Sequence, residues 1–351
     1  MAKILAFESF DGGSHKQFRQ TMTKYSTHNW TWITRPPCDW KWRMLIGAQE
    51  LVEDAIRKNC FKNAPDFIFS TSLIDVAALR STLPKGARDI PIILYMHENQ
   101  IAYPTHDKRD ATFAITNLQS VLAADKVIFN SKWNMDSFLE GISALLKHVP
   151  NHTLGDIQKR IRENAAVSWV PVEMPPDAVQ ISANNDDAIK IVWPHRWEHD
   201  KGPEKLLAIA REWSNKLNLR WTILGEQFQK IPEPLEKFKA EFKERIDHMG
   251  FVESKEEYWK LLHQGDWVLS TASHEFFGIA VVEALFAGCL PWVPEALSYR
   301  ELLPAAARGI SPIKGLNDGL NRNEMHCRIM EHLHMAQADN AVPRLDLLIS
   351  S

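Results

Sequence analysis

Short apolar runs recur along this chain, each ending in a polar cluster and followed by a longer stretch of mixed character. Lys3-Ile4-Leu5-Ala6-Phe7 is the first, and Phe67-Ile68-Phe69, Pro91 to Met96 and Lys126 to Phe129 repeat it. Brief runs bounded by turn residues suit strands buried on both faces of a parallel sheet. The third run ends in His97-Glu98-Asn99-Gln100 and the fourth in Asn130-Ser131, with a helix expected from about Lys132. Polar groups at the carboxyl ends of parallel strands are where α/β proteins keep their chemistry. Val170 to Pro176, then polar residues through Asp187, interrupt the rhythm and predict a linker over 173–188. The pattern then restarts with Lys190 to Trp193, Arg220 to Gly225, the surroundings of His248 to Val252, Trp267 to Thr271, and Leu290 to Val293. Two such arrays predict an α/β protein of two Rossmann-like domains, 1–172 and 189–330, facing each other across a cleft. The tail, 331–351, carries little pattern and is expected to pack back on the first domain.

One stretch organises the second array. The strand Trp267 to Thr271 leads into His274-Glu275-Phe276-Phe277-Gly278, then an apolar helix running to Gly288. Glu283 sits inside that helix among Ile279, Val281, Val282, Leu285 and Phe286. A buried carboxylate costs several kcal/mol unless hydrogen bonds satisfy it, and a neighbouring side chain or a ligand hydroxyl would serve. Glu275 lies in the strand-to-helix loop, beside a helix N-terminus that suits a phosphate. Arg196 and Lys201 follow the first strand of the same array, which places them at the same edge of the sheet. A planar fork and a mobile point charge facing a helix N-terminus suit a diphosphate. In the first array, Gly12-Gly13 occupies the first strand-to-helix loop, where a missing Cβ admits a ligand to the backbone. Ser14 and Gln17 have capping-box spacing, which puts a helix start there.

Length changes the picture little, since 351 residues exceed what one core usually serves. The net charge of −3 excludes bulk electrostatic attraction to nucleic acid, though not a local patch. Such a patch exists: from Lys16 to Arg43 six Lys or Arg face one acid, Asp39. Within it Trp30, Trp32, Trp40 and Trp42 alternate with polar residues. Aromatics interleaved with cations suit single-stranded RNA, and alternate tryptophans equally suit a strand face turned to a core. Four scattered cysteines without metal spacing fit a reducing compartment. Met1 runs straight into a strand, not a signal peptide, and no apolar run approaches a membrane span, so a cytoplasmic protein is expected.

The spacing Glu275-x7-Glu283, the Arg196…Lys201 pair, Gly12-Gly13 and His97 together resemble the retaining glycosyltransferases of family 4, which have the GT-B fold. Fuller strings narrow the resemblance. Phe10 to Gln17, Tyr95 to Pro104, Phe129-Asn130-Ser131, Ile191 to Lys201 and His274 to Gly278 are similar to the tRNA-queuosine α-mannosyltransferase family. That family transfers mannose from GDP-mannose to the cyclopentene diol of queuosine, in the anticodon loop of an aspartate tRNA. The resemblance does not extend strongly beyond Pro304.

By this resemblance, Arg196 and Lys201 neutralise the leaving diphosphate, helped by N–H groups near Phe277-Gly278 and Gly12-Gly13. Glu275 would hold donor-sugar hydroxyls, Glu283 the ribose, and main chain near Gly250-Phe251-Val252 the base. His97 would face the sugar from the first domain, while Lys41, Arg43, Asn99, Gln100, Asn130 and Lys132 border the acceptor. No covalent nucleophile stands out, so same-face attack with retention is expected. The sequence has no Asp-x-Asp pair, so neither a metal nor a cofactor is required beyond the donor. Guanine or uracil, the hexose, the tRNA isoacceptor and the oligomeric state stay open. So do two other readings: a transferase for a lipid or small glycan, and a non-catalytic tRNA-binding protein.

Overall fold

The structure is a computed structural model of the chain and describes residues 1–103, 111–149, 151, 154–176, 187–226 and 231–351. Most of the expected linker, 177–186, and Pro104 of one motif therefore lie outside the described residues. The chain forms two compact units, Met1–Pro171 with Ala336–Ser351, and Val172–Met335.

The first unit is built on a six-stranded parallel sheet in the order β2-β1-β3-β4-β5-β6. Its strands are β1 (Lys3–Glu8), β2 (Asn29–Thr34), β3 (Phe67–Thr71), β4 (Ile92–Met96), β5 (Lys126–Phe129) and β6 (Ala165–Val167). All five residues of β4 are buried, as its unbroken apolar run requires. Edge strand β2 alternates instead, and its register sets Ile4 beside both Trp30 and Phe67. The core beneath is largely aliphatic, with Leu5, Ile68, Leu94 and Val127 from the strands and Leu51 from a helix, and Phe138 adds an aromatic ring.

The second unit holds a five-stranded parallel sheet, β11-β10-β7-β8-β9. Its strands are β7 (Ile189–Pro194), β8 (Leu219–Leu224), β9 (Ile246–Gly250), β10 (Trp267–Leu269) and β11 (Leu290–Trp292). In both orders β1 or β7 sits inside its sheet, as a doubly wound fold has it. Pro203 opens helix Pro203–Trp213 at the position its fixed φ favours.

Two boundaries differ from expectation. Helix Arg322–Leu333 runs through the expected limit at 330, because Met325, Ile329 and Leu333 form a buried stripe and His326 contacts the Leu285 carbonyl at 2.9 Å. The chain joins the first unit only at Ala336, where helix Ala338–Ser350 is tied down by buried Asp346. That carboxylate accepts from Ser26 Oγ (2.7 Å), Thr27 N (2.7 Å) and Thr27 Oγ1 (2.9 Å), and Lys126 Nζ donates to the Leu348 carbonyl (2.8 Å). The capping box at Ser14 is also absent. Gly12 caps helix Gly13–Tyr25, its carbonyl already accepting from His15 N (3.1 Å), so Ser14 lies inside the first turn.

Candidate active site

In the second unit, β10 delivers the chain to a loop that ends at Gly278, the N-cap of helix Ile279–Phe286. Gly278 has φ +91°, and a Cβ there would sit 3.3 Å from Glu275 Cγ and 3.2 Å from Tyr299 Cε1. Only glycine lets the chain turn with Glu275 folded over it. Buried Lys201 reaches Glu275 Oε2 (3.2 Å), Asp200 Oδ2 (3.3 Å) and the His274 carbonyl (3.2 Å). Burial alone would lower the Lys201 pKa, but Glu275 and Asp200 outweigh it and hold the ammonium above its ordinary range. The approach of Lys201 depends on Gly202, whose φ of +69° and missing Cβ let it lie against the Thr271 carbonyl, 2.3 Å from where a Cβ would stand.

Arg196 is the more exposed of the two cations, and its charge acts on Lys201. Its guanidinium is half-exposed and 3.2 Å from Glu198. Two histidines line the same strand ends. His195 is buried and pushed down to about 3, by burial first and then by the Lys201 charge. His274 goes down to about 4 for the same two reasons. Both rings are therefore neutral at pH 7.

Glu283 is buried at 3% exposure and hydrogen-bonded from helix Lys255–His263, by Lys255 Nζ and by Tyr258 O–H at 3.0 Å. The protein itself thus supplies the partners that its apolar setting demands. Gly250 ends β9 with φ +149° and its carbonyl accepts from Gly225 N (3.2 Å). Phe251 follows with 61% of its surface exposed and Val252 half-buried.

In the first unit, Gly12 packs on Pro37, which would lie 2.4 Å from a Cβ, while nothing stands within 4 Å of one on Gly13. That space leaves the Gly13 backbone open to a ligand. Glu8, at the end of β1, accepts from Phe10 N (2.8 Å) and pairs with His15 Nδ1 (2.9 Å). His97 lies beside His15, ring centroids 4.3 Å apart. Burial, then the His15 charge, hold His97 well below its ordinary range.

Several expected acceptor residues are spent on the protein itself. Asn99 is fully buried and donates to Asn134 Oδ1 (2.8 Å), while its Oδ1 accepts from Ala102 N (2.8 Å). Asn130 donates to the His97 carbonyl (2.7 Å) and Gln100 to Glu98 (2.8 Å). These amides shape the loop carrying His97, because buried polar groups must find partners. Arg43 donates to Glu50 Oε2 (2.6 Å), so its charge is answered internally. Lys132 is exposed and pairs with Asp136.

The tryptophan segment divides. Trp30 and Trp32 on β2 stack on each other at 5.1 Å and meet the Phe69 ring edge-on at 5.1 and 6.1 Å, which is packing. Trp42 is 65% exposed at the start of helix Trp40–Arg57, next to exposed Lys41. Asp200, Lys255, Tyr258 and Tyr299 went unread in the sequence. Lys255 and Tyr258 look there like one charged face of an amphipathic helix, and only their spacing of three residues hints at a shared target.

Two parallel α/β units, with paired acid and base at a helix N-terminus in the second, define a GT-B glycosyltransferase. The fold agrees with solved structures spanning essentially the whole chain. HepE of Anabaena with UDP and glucose has a TM-score of 0.67 at 14% identity, covering 100% of both chains. OtsA gives 0.68 at 12%, covering 100% of this chain and 99% of its own. The lipopolysaccharide galactosyltransferase WaaB gives 0.64 at 15%, covering 99% of each. Residues 3–172 match the family described as tRNA-queuosine alpha-mannosyltransferase N-terminal, and 176–310 match glycosyl transferases group 1. The tRNA-queuosine alpha-mannosyltransferase of Drosophila melanogaster is 34% identical over 313 residues, covering 86% of this chain and 81% of that protein. The chain belongs to the tRNA-queuosine alpha-mannosyltransferase family. No helix among its described residues is long and apolar enough to cross a membrane.

Proposed function

We propose that this protein transfers mannose from GDP-mannose to the cyclopentene diol of queuosine in the anticodon loop of an aspartate tRNA, with retention. The observation that carries the proposal is Lys201, buried beneath Glu275 and Asp200 beside the N-terminus of helix Ile279–Phe286. A cation already held by two carboxylates is preorganised, so it loses little reorganisation energy when a diphosphate arrives. Lys201 takes charge from the leaving diphosphate, and half-exposed Arg196 swings onto it from Glu198. Main-chain N–H groups at Phe277-Gly278 and at Gly12-Gly13 add donors.

Glu275 then holds hydroxyls of the donor sugar, and Glu283 the ribose, which replaces Tyr258 or Lys255 as its partner. The open backbone at Gly250 and exposed Phe251 take the base, with Val252 beside them. His97, neutral at pH 7, orients acceptor or donor from the first unit. No side chain is asked to form a covalent bond: a diphosphate oxygen takes the acceptor proton, and the new bond forms on the face the diphosphate leaves. With paired cations at the diphosphate, that step calls for no metal there and no cofactor. RNA is gripped by Lys41 and Trp42, a cation beside an exposed aromatic, in a reducing, cytoplasmic setting that suits tRNA and the four free cysteines.

The test is transfer of labelled mannose from GDP-mannose to purified queuosine-containing tRNA, with lipid and small-glycan acceptors and UDP-sugars as competing arms. Transfer to the tRNA alone supports the reading, and transfer to another acceptor alone overturns it. Glu275→Ala should lose at least ~10²-fold in kcat while staying folded by circular dichroism.

A further inference from the structure

The first unit contains a buried cluster in which the transfer reaction gives a task to His97 alone and none to its two neighbours. Glu8 ends β1, His15 lies in the first turn of helix Gly13–Tyr25, and His97 follows β4. Their exposures are 0%, 5% and 7%. One donor atom from each lies within 4.8 Å of the other two. We infer that Glu8, His15 and His97 form a binding site for a divalent transition-metal ion of the zinc class.

The donor set is the first argument. Two imidazoles and a carboxylate are ligands that zinc takes in tetrahedral sites, at about 2.0–2.2 Å. The second argument is that His97 Nε2 is buried and has no hydrogen-bond partner among the described residues, although the group beside it is an ion pair. An orphaned lone pair in such a place costs roughly 1–3 kcal/mol unless something fills it. Ring geometry is the third. The two rings lie side by side, centroids 4.3 Å apart and tilted by 38°, so both present an edge to one small space. Ligand bonds of about 2.0–2.2 Å would draw the three donor atoms closer together than the 4.8 Å within which they already lie.

The surroundings suit a resident ion. Phe18 and Tyr95 wall the His97 ring edge-on, each at 4.8 Å. The second oxygen of Glu8 is fixed by Phe10 N–H, and the His97 main chain is held by Asn130 (2.7 Å), which is the outer support that metal ligands require. The ion would tie three chain segments together around Gly12-Gly13, and ligation through Nε2 would make His97 Nδ1 the N–H donor.

The test uses the full chain, stripped with chelator, with zinc chloride as the only addition, so no tRNA or sugar nucleotide enters it. About one equivalent of zinc retained by mass spectrometry and a raised Tm are expected. Replacing zinc by cobalt should give the visible absorption of a tetrahedral complex. Glu8→Gln and His15→Gln should each weaken zinc binding by on the order of 100-fold or more, whereas His326→Gln, in the second unit, should not. No retained zinc with no cobalt band overturns the site and leaves Glu8–His15 a plain ion pair. Undiminished binding by folded Glu8→Gln, His15→Gln or His97→Gln overturns it as well.

Discussion

Replacing Lys201 by methionine keeps the length of the side chain and removes one positive charge from between two carboxylates. Lys201 Nζ lies 3.2 Å from Glu275 and 3.3 Å from Asp200, with 11–17% of the three side chains exposed. At an effective dielectric of about 20, each pair attracts by about 5 kcal/mol, and desolvation of the ions takes back several kcal/mol. Breaking a buried pair from one side usually costs about 3–5 kcal/mol, because the partner charge stays buried. Residual exposure puts this case near 3 kcal/mol, or roughly 6–12 °C in the Tm of a unit this size. The raised pKa of Lys201 gives the sign: its contribution is complete below the unfolded value of 10.5 and disappears only as pH climbs through the folded one, so pH 7 is a fair condition. Urea titration of the full chain reads the loss. Adding Glu275→Gln and Asp200→Asn to Lys201→Met should recover at least half of it, because the uncompensated charges go too. A Lys201→Met variant within about 0.5 kcal/mol of wild type, the scatter of a neutral surface change, would refute the reasoning.

Acid should weaken the second unit. His195 and His274 have folded values of about 3 and about 4 against 6.5 unfolded, so the unfolded chain takes up their protons first. Stability present above pH 6.5 is then lost as pH falls towards 4, by about 1.4 kcal/mol per pH unit for each ring; urea midpoints at pH 7 and pH 5 measure it, and His274→Gln should flatten the slope. Gly202→Ala should cost more than about 1 kcal/mol, since φ +69° is strained for alanine and its Cβ would strike the Thr271 carbonyl; an unchanged denaturation midpoint would count against the packing described. For RNA, Lys41→Ala should weaken tRNA binding and lower its salt slope by about one, and Trp42→Ala should weaken it without changing the slope. Arg43→Ala should lower stability rather than salt dependence, because Arg43 is already paired with Glu50.

The inner strands of the first sheet were legible because parallel β positions buried on both faces need unbroken apolar runs, as β4 and β5 have, whereas edge strands β2 and β6 lack them. Glu275 and Lys201 were legible because each follows such a run. What surrounds them was not. Asp200 and Tyr299 reach the loop through the fold: Tyr299 lies 29 residues from Ser270, to which its hydroxyl is bonded at 2.8 Å. Nothing in local spacing announces a contact of that kind. Glu283 read as an anomaly in an apolar helix, and its partners came from a different helix whose charges looked solvated. The polar clusters after β4 and β5 were legible as chemistry-bearing strand ends, not as the network they form. Their composition promised a surface, but Asn99, Asn130 and Gln100 are buried amides that hold the loop, a distinction only burial reveals. In the tryptophan segment Trp30 and Trp32 follow the packing reading, and Trp42 is exposed, which leaves the RNA reading to experiment. The tail stayed silent because Pro343 interrupts its helical signature, and its anchor, Asp346, answers groups about 320 residues away.

The most direct measurement is mass spectrometry of the nucleosides of queuosine-containing tRNA, incubated with GDP-mannose and either the wild-type protein or Glu275→Ala. The account predicts that queuosine gains one hexose with wild type and none with the variant, the released donor product being GDP. Queuosine left unmodified by active, folded wild-type protein, or modified equally by Glu275→Ala, would contradict it.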